Sequence, residues 1–506
     1  MGGILHRLIL AIRTISLYNR ATGSAAPVHA VKQAEHPYKF GKKVLYMAQL
    51  TGKELTIVER IPYVPIEPWD WFKENGVEDK TGGPPPMGEG PEMTPSVYVK
   101  DGKLVPGNEA TVYGGEITDD SATDLRIVSY DGSVGGVYAE GKDTDFTVEG
   151  AVISLSGDGQ GLGEKSAGAG VSDHARLTLK DCLIDTWGLS RTSTSASGGS
   201  VLKVYDSILT SHGAPYGSDA PGQAPKMSPP APLEIQGNNR THCTVQNSYS
   251  YFYNSLITCD GWAALSTDAS QGFVYLEAND CKVVATKSGY GAYADWGCHD
   301  VFHDCKFDVA CQAAIVAGEA SVRFTGSELK CGTYLALMHC VMGRHTEVGE
   351  LSLTDCDVKT GKTAIEVHGQ NVVVSLENCN IVTGGALMRT CKNADPNAAR
   401  VNGRPTPGDE LRLKDMTVDG DILHEDPERD CRVYMTSACL NGVIANAAIV
   451  MDQGSRWYAT GDSHVVLAGP LETAQVDAPE GVTITMEAAS GQGTYTLASG
   501  GTLVVR

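Results

Sequence analysis

A short pattern of alternating apolar and polar residues recurs along the middle of this 506-residue chain. It reads apolar-x-apolar-x, followed by Asp, Asn or Gly and then by Cys, Ser or Met. Two looser copies end at Cys281 and Cys305, and the full copies are Leu177–Cys182, Leu202–Ser207, Cys243–Ser248, Val322–Ser327, Leu351–Cys356, Val374–Cys379 and Leu411–Met416. The period of two predicts a β-strand, and the small polar residue near its end predicts a tight corner.

The spacing of the copies predicts how these strands are arranged. The shortest intervals between copies are 22 to 25 residues, and insertions lengthen the others. Repeats built from helix pairs have periods of about 33–34 residues, and their 3.6-residue periodicity is missing here. A second alternating run follows each corner, and third runs come later at Ala292–Trp296, Ala314–Ala317, Leu335–His339, Ala364–His368 and Ala386–Arg389. Three strands per repeat predict an all-β parallel β-helix with the corner Cys, Ser and Met side chains stacked inside.

This repeat resembles that of the right-handed parallel β-helix proteins of the pectin-lyase-like superfamily. The resemblance covers roughly residues 125–425 and depends on the period and the corner residues. It implies the right-handed fold, and it implies a polyuronide or oligosaccharide as the default substrate. Of the motifs of polygalacturonase-like hydrolases, only Ser211-His212-Gly213 and Val367-His368-Gly369 resemble Gly-His-Gly, and no matching Asp pair lies nearby.

The repeat divides the chain into three parts. Residues 1–96 are predicted to be an N-terminal arm and a Pro/Gly linker, residues 97–425 the β-helix, and residues 426–506 its last coils and a C-terminal cap. The opening segment, MGGILHRLILAIRTISL, is either a helical arm or a targeting segment. Three insertions interrupt the repeats, at residues 189–200, 213–232 and 391–408. They are predicted either to build walls around a groove or to be surface loops without a function.

The composition narrows the classes of partner. A formal net charge of −21 argues against nucleic acid, whose phosphates require a positive surface. No window approaches the ~18 uninterrupted apolar residues of a membrane-spanning helix, so no span is predicted. The fourteen cysteines lack CxxC spacing and recur at corners, which favours buried free thiols over zinc sites or disulfides. Free thiols predict a cytoplasmic protein, with secretion as the alternative; no metal or other cofactor is predicted, and the oligomeric state stays open.

The third run of each repeat concentrates the residues that suit acid–base chemistry. Alignment of the repeats on their corners predicts two outward columns, Asp268, Asp295, Ala317, His339, His368 and Arg389 in one, and Ser266, Tyr293, Ile315, Leu337, Glu366 and Leu387 in the other. Neighbouring strands lie about 4.8 Å apart, so successive members of a column are within reach of one another. A His or Tyr could then remove a proton next to a carbonyl while Arg389 or a protonated His stabilises the enolate.

The predicted catalytic residues are therefore Tyr293, Asp295, His339, His368 and Arg389. The alternative is an ordinary polar face with a chance alignment, because a slip of one residue would reverse the orientation of a strand.

A second feature is the row formed by Tyr249, Tyr251 and Tyr253, which are predicted to share an outer face. Such a row offers a platform on which a flat ring could stack, with hydroxyl groups as donors. Alternatively, the Pro-rich insertion just upstream packs over it. The predicted substrate-binding set is completed by Asp268, Trp296 and Arg344.

Together these features predict an enzyme of the lyase or isomerase type, which abstracts a proton from a substrate on the outer face of the β-helix. By resemblance alone the substrate is a polyuronide or oligosaccharide, and a small ring-containing carbonyl compound is the alternative. A further alternative is a non-catalytic carbohydrate-binding or adhesin-like solenoid. Single substitutions separate these classes, since only an enzyme has turnover to lose.

Overall fold

The computed structural model describes residues 93–159, 163–213, 229, 231–268, 272–339, 348–393 and 408–506. These residues form an all-β structure, so the predicted class is confirmed for this part of the chain. Its helical segments are short 3₁₀ turns at Glu109–Thr111, Glu164–Ser166, Ala231–Leu233 and Thr473–Gln475. Within the described ranges, no helix has the length and apolar character needed to cross a membrane. The predicted N-terminal arm lies outside the described residues up to residue 92.

Most strands pair in parallel with the strand one repeat further along, so they line up in three ribbons. The first ribbon carries the recurring pattern in the strands Ser121–Thr123, Asp145–Glu149, Arg176–Lys180, Val201–Tyr205, Tyr249–Tyr253, Val274–Asn279, Cys298–His303, Ser321–Thr325, Val348–Thr354, Asn371–Glu377, Asp409–Lys414, Cys431–Thr436, Ile444–Met451, Ser463–Leu467, Thr483–Glu487 and Thr502–Val505.

The second ribbon follows the corners in the strands Arg126–Ser129, Val152–Ser156, Leu183–Trp187, Ile208–Ser211, Leu256–Cys259, Lys282–Ala285, Lys306–Val309, Glu328–Cys331, Asp357–Thr360 and Asn380–Val382, and then in a separate sheet of Thr417–Asp419, Cys439–Asn441, Arg456–Tyr458 and Val476–Asp477. The third ribbon contains Thr94–Lys100, Val134–Glu140, Ala169–Ser172, Thr194–Ala196, Arg240–Val245, Ala263–Asp268, Ala292–Asp295, Ala314–Ala317, Ala336–His339, Ile365–His368, Met388–Cys391 and Ile422–His424. Short strands that pair antiparallel with a neighbour are Lys103–Val105, Val112–Tyr113, Glu116–Ile117 and Gly493–Thr496.

The register keeps equivalent residues of successive repeats side by side. In the first ribbon, Leu177 pairs with Phe146 on one side and with Leu202 on the other. The first and third ribbons meet at the long strand Ile444–Met451, which pairs with a strand of each. This regular parallel pairing is compatible with a parallel β-helix.

The corner conformation explains why the recurring pattern ends in Asp followed by Cys. Asp181 and Asp304 have positive φ angles of 51° and 52°. Asp adopts this left-handed conformation more readily than most residues. The cysteines that follow, Cys182 and Cys305, are buried in the interior. All thirteen cysteines of the described residues are free, so the prediction of buried, unbridged corner thiols is confirmed there.

One predicted copy of the pattern, Cys243–Ser248, is wrong. Its first half lies on the strand Arg240–Val245, which pairs with strands of the third ribbon. The first-ribbon strand of this repeat is Tyr249–Tyr253, and its corner residue Asn254 has a φ angle of 45°. Both elements are alternating runs that lead into an Asn-Ser pair, so the pattern alone does not distinguish them.

The inward side chains of the ribbons form one continuous apolar core. Phe302, Phe307 and Phe324 pack together within it, with ring centroids 4.9 to 5.3 Å apart. Each fully buried side chain of this kind contributes about 1.5–3 kcal/mol. The core therefore fixes which residues of each strand face outward.

A second, smaller apolar cluster lies on the outer face of the third ribbon. Leu233 and Ile235 follow the Pro-rich insertion and belong to this cluster with Tyr290 and Ile315. Gln312 donates a hydrogen bond from Nε2 to the carbonyl oxygen of Leu233 at 2.8 Å. The segment around Leu233 therefore covers part of the face on which the predicted column lies.

Arg191 lies fully buried, just before the third-ribbon strand Thr194–Ala196. Its guanidinium donates hydrogen bonds of 2.7 to 3.3 Å to five main-chain carbonyl oxygens, those of Asp131, Gly132, Val134, Gly157 and Ser166. Burial lowers the pKa of this guanidinium to about 10, which leaves it charged at neutral pH. All five of its N–H groups are used, so Arg191 joins separate repeats through their main chains.

Candidate functional site

The strand register creates a column of side chains on the outer face of the third ribbon. Thr267 pairs with Ala294, so the residues that follow them, Asp268 and Asp295, are neighbours. Asp295 pairs with Ala317. Val316 pairs with Met338, so the residues that follow them, Ala317 and His339, are also neighbours. The next pairings lead from His339 to His368 and then to Cys391. We call this row, from Asp268 to Cys391, the outer column.

The predicted position of Arg389 in this column is wrong. Arg389 pairs with Glu366, in the neighbouring column that also contains Tyr293. The signal for the correct register is present in the sequence, because His368 and Cys391 each lie twelve residues after the corner cysteine of their repeat. Cys391 was therefore the residue that the spacing assigned to the outer column.

Arg389 is held between two carboxylates. Its Nη1 lies 2.8 Å from Oε1 of Glu366, and its Nη2 lies 2.7 Å from Oε2 of Glu425. The hydrogen bond with Glu425, and the charge of Glu366, raise the pKa of the guanidinium above its usual value. Its charge is thus compensated within the protein and is not available to bind a substrate carboxylate.

His368 and His339 form the centre of the outer column. Their ring centroids lie 5.2 Å apart and the rings are nearly perpendicular. Nε2 of His368 lies 3.4 Å from Oε1 of Glu366. Burial alone lowers the pKa of His368, but hydrogen bonds with Cys391 and Glu366 outweigh it and raise the pKa to about 9. His339 is only 1% exposed, whereas His368 is partly exposed.

Tyr293 and Asp295 form a donor–acceptor pair further along the same face. The Tyr293 hydroxyl donates to Oδ2 of Asp295 at 3.0 Å, and the Cys298 thiol lies 3.7 Å from Oδ1 of the same carboxylate. Burial raises the pKa of Tyr293 well above its usual value, and the nearby charges of Asp295 and Asp268 raise it further. Tyr293 is therefore a neutral donor that orients Asp295.

Two of the residues predicted to bind substrate lie at this end of the column. Asp268 forms an ion pair with Arg240, whose guanidinium lies over the ring of Trp262 at 4.6 Å. Sequence reasoning missed Arg240, which no motif distinguishes from other arginines. Trp296 has a positive φ angle of 35° in the turn after the third strand, and it packs against the main core. Arg344, also predicted, lies outside the described residues.

The prediction that Tyr249, Tyr251 and Tyr253 form an exposed platform is wrong. These tyrosines alternate with inward residues as expected, but they belong to the first ribbon, and Tyr251 and Tyr253 are only 3% and 6% exposed. Tyr253 stacks on Tyr205 at 4.7 Å, and the Lys203 ammonium lies 5.9 Å from the Tyr251 ring. Neighbouring side chains therefore already occupy faces that a substrate ring would need.

A cluster of side chains around His212, on the second ribbon, was not predicted as a site. Nε2 of His212 lies 2.9 Å from Asp185 and its Nδ1 lies 3.3 Å from Asp260. Its ring stacks on Trp187 at 3.8 Å, and Trp187 is 37% exposed. Burial alone lowers the pKa of His212, but hydrogen bonds with the two carboxylates raise it to about 9. Because the carboxylates come from other repeats, the local sequence around His212 gave no signal.

The raised pKa of His212 predicts a pH-dependent contribution to stability. It should be fully present below about pH 6.5, the ordinary pKa of histidine, and it should be lost as the pH rises through about 9. We expect His212→Gln to lower the free energy of unfolding by about 2 kcal/mol at pH 6, after allowance for solvent screening, and by little at pH 10. Denaturant unfolding across this range measures the difference. A difference in unfolding free energy that stays constant across this pH range would contradict the raised pKa of His212. The control is His464→Gln, which changes a partly exposed histidine.

Within the described residues, one group of side chains brings together a carboxylate, an imidazole and a thiol that could bind a metal ion. Ligand atoms of Glu366, His368 and Cys391 all lie within 4.8 Å of one another. The outer face of the third ribbon thus holds acid–base groups in a column, with this trio at one end. No known protein family matches this chain, and no curated protein matches it either.

Proposed function

We propose that the three ribbons are the faces of a right-handed parallel β-helix of the pectin-lyase-like kind, and that the protein is a lyase or isomerase. We infer that it removes a proton from a carbon next to a carbonyl, at the outer column. The regular parallel pairing and the buried corner thiols support the fold. The positions of Asp295, Ala317 and His339 support the chemistry.

The observation that carries the proposal is the position above Ala317, between a carboxylate and an imidazole, which we call the gap. Ala317, the smallest side chain of the outer column, lies between Asp295 and His339. Because neighbouring strands lie about 4.8 Å apart, the main chains of the flanking residues are about 10 Å apart. Ala317 belongs to the apolar cluster that contains Leu233. A substrate group one small ring wide would therefore replace part of that cluster and would have a side chain capable of proton transfer on each side.

Of the three residues around the gap, only Asp295 is partly exposed, whereas Ala317 and His339 are buried. The proposal therefore entails that a substrate group approaches past Asp295. Exclusion of water from such a position strengthens the electrostatic interactions that stabilise developing charge.

In the proposed reaction, His339 removes the proton and the C–H electron pair forms an enolate with the carbonyl. Asp295, oriented by the hydroxyl of Tyr293, holds the substrate on the other side of the gap. In a lyase the enolate then expels a leaving group from the β-carbon, and His339 returns the proton to that group. In an isomerase the proton returns to a different carbon.

The substrate class inferred from the resemblance is a polyuronide or an oligosaccharide. A small, neutral, ring-containing carbonyl compound is the second candidate, and one observation favours it. Arg389, the cation that would hold a uronate, is paired with both Glu366 and Glu425. The net charge of −21 also disfavours a polyanion.

Hydrogen exchange in D₂O tests the proposal. The protein is incubated with polyuronides, neutral oligosaccharides and cyclic ketones, and deuterium uptake is followed by NMR. We expect uptake in at least one class, and His339→Gln should slow it by about 100-fold because general-base catalysis typically contributes at least this much. Asp295→Asn should also slow it. His464→Gln, which changes a histidine far from the column in sequence, should exchange at the wild-type rate.

Two results would overturn the proposal. The first is the absence of exchange in every class, which together with measurable binding would favour a non-catalytic carbohydrate-binding solenoid. The second is a folded His339→Gln variant that exchanges at the wild-type rate.

A further inference from the structure

We propose that Glu366, His368 and Cys391 bind a divalent transition-metal ion, with zinc as the preferred ion, on the outer face of the third ribbon. Glu366 and His368 lie two residues apart on one strand and therefore share a face. Cys391 pairs with His368 on the next strand. Three different ligand types thus converge from two paired strands.

The geometry is close to that of a metal site. The ligand atoms lie within 4.8 Å of one another. Zinc lies about 2.0–2.3 Å from its N, O and S ligands, so small side-chain rotations bring these atoms into coordination. Thiolate, imidazole and carboxylate are the ligand types that zinc takes, whereas calcium and magnesium prefer oxygen alone. His368 and Cys391 are partly exposed, so an ion can reach them from solvent.

The charges around the trio suit a divalent cation. Arg389 pairs with both Glu366 and Glu425, so these three groups together carry one negative charge. Coordination of an ion by Cys391 as a thiolate would add a second. Arg389 Nη1 and His368 Nε2 both approach Oε1 of Glu366, so the contact with Arg389 holds the carboxylate beside His368.

A bound ion would supply the electrophile that the proposed reaction needs. Three protein ligands leave a fourth position open, as in catalytic zinc sites. The trio adjoins His339, whose ring lies 5.2 Å from that of His368. The trio lies on the side of His339 away from Ala317. From there the positive charge of a bound ion would stabilise an enolate formed beside His339, a role that the ion-paired Arg389 cannot fill. This catalytic role rests on the proposed function, whereas binding of the ion does not.

Cobalt titration tests the site without any measurement of activity. The protein is treated with a chelator, dialysed and titrated with Co²⁺, whose thiolate complexes absorb in the near-ultraviolet. We expect the absorption to saturate at one ion per chain and to disappear when zinc is added. Cys391→Ser should abolish the band, and His368→Gln and Glu366→Gln should weaken cobalt binding at least tenfold. Cys439→Ser is the matched control, because Cys439 is the other partly exposed free cysteine of the described residues.

The wild-type protein provides a second readout that needs no substitution. Zinc should protect Cys391 from alkylation by iodoacetamide, as measured by peptide mass spectrometry, and should leave the modification of Cys439 unchanged. No thiolate band and no protection would overturn the site, as would a band that survives Cys391→Ser. Metal binding without deuterium exchange would keep the site and reject the proposed function. Deuterium exchange without metal binding would keep the proposed function and reject the metal site.

Discussion

Replacement of Arg191 by methionine is expected to lower the free energy of unfolding by about 4 kcal/mol, because it leaves buried carbonyl oxygens without donors. The guanidinium of Arg191 donates to five such oxygens, which belong to the segments 131–134, 157 and 166. Methionine fills much of the volume but donates nothing. Denaturant unfolding followed by circular dichroism measures the change.

Two further variants make this result specific. Arg191→Lys keeps the charge but presents three donors from a single point, so it should recover only part of the loss. Arg176→Met removes an exposed arginine whose nearest carboxylate, on Asp145, lies 4.0 Å away, and it should change the free energy by less than about 0.5 kcal/mol. Equal effects of Arg191→Met and Arg176→Met would show that the buried hydrogen bonds do not stabilise the fold.

Gly136→Ala is expected to destabilise the protein by more than about 3 kcal/mol, or to prevent its folding. A Cβ atom on Gly136 would lie 1.9 Å from the carbonyl oxygen of Gly168. That oxygen accepts a hydrogen bond from Val137 at 3.0 Å, so it cannot move aside without breaking the pairing between the two strands. Thermal unfolding and soluble yield measure the effect.

A matched control for this substitution is Gly469→Ala. A Cβ atom on Gly469 would lie 3.4 Å from Cγ1 of Val450, an ordinary contact. This variant should keep the wild-type melting temperature within a few degrees. A Gly136→Ala protein as stable as Gly469→Ala would mean that Gly136 and Gly168 do not approach this closely.

The sequence predicted those parts of the fold that depend on local chemistry. The corner at Asp181 and Cys182 could be predicted because a left-handed residue and an inward thiol have distinct residue preferences. The neighbours Asp295 and Ala317, and the pair His339 and His368, could be placed because the interval from corner to third strand is nearly constant.

The remaining features depend on contacts between residues far apart in the chain. The burial of Tyr251 depends on Lys203 and Tyr275, which belong to other repeats. The hydrogen bonds of Arg191 reach back as far as 60 residues. A period of two says which side of a strand a residue faces, but it does not say whether another segment covers that side.

The regular register has a consequence for how the length of such a chain can change. Lys306 pairs with Glu328, and Cys331 pairs with Val309, so one repeat in this region comprises 22 residues. Loss or duplication of one complete repeat would leave the strand pairings beyond it matched, since each strand pairs with the next repeat. A deletion of an odd number of residues within a strand would instead turn inward side chains outward. The length of this chain can therefore change by whole repeats while each ribbon keeps its inward and outward sides.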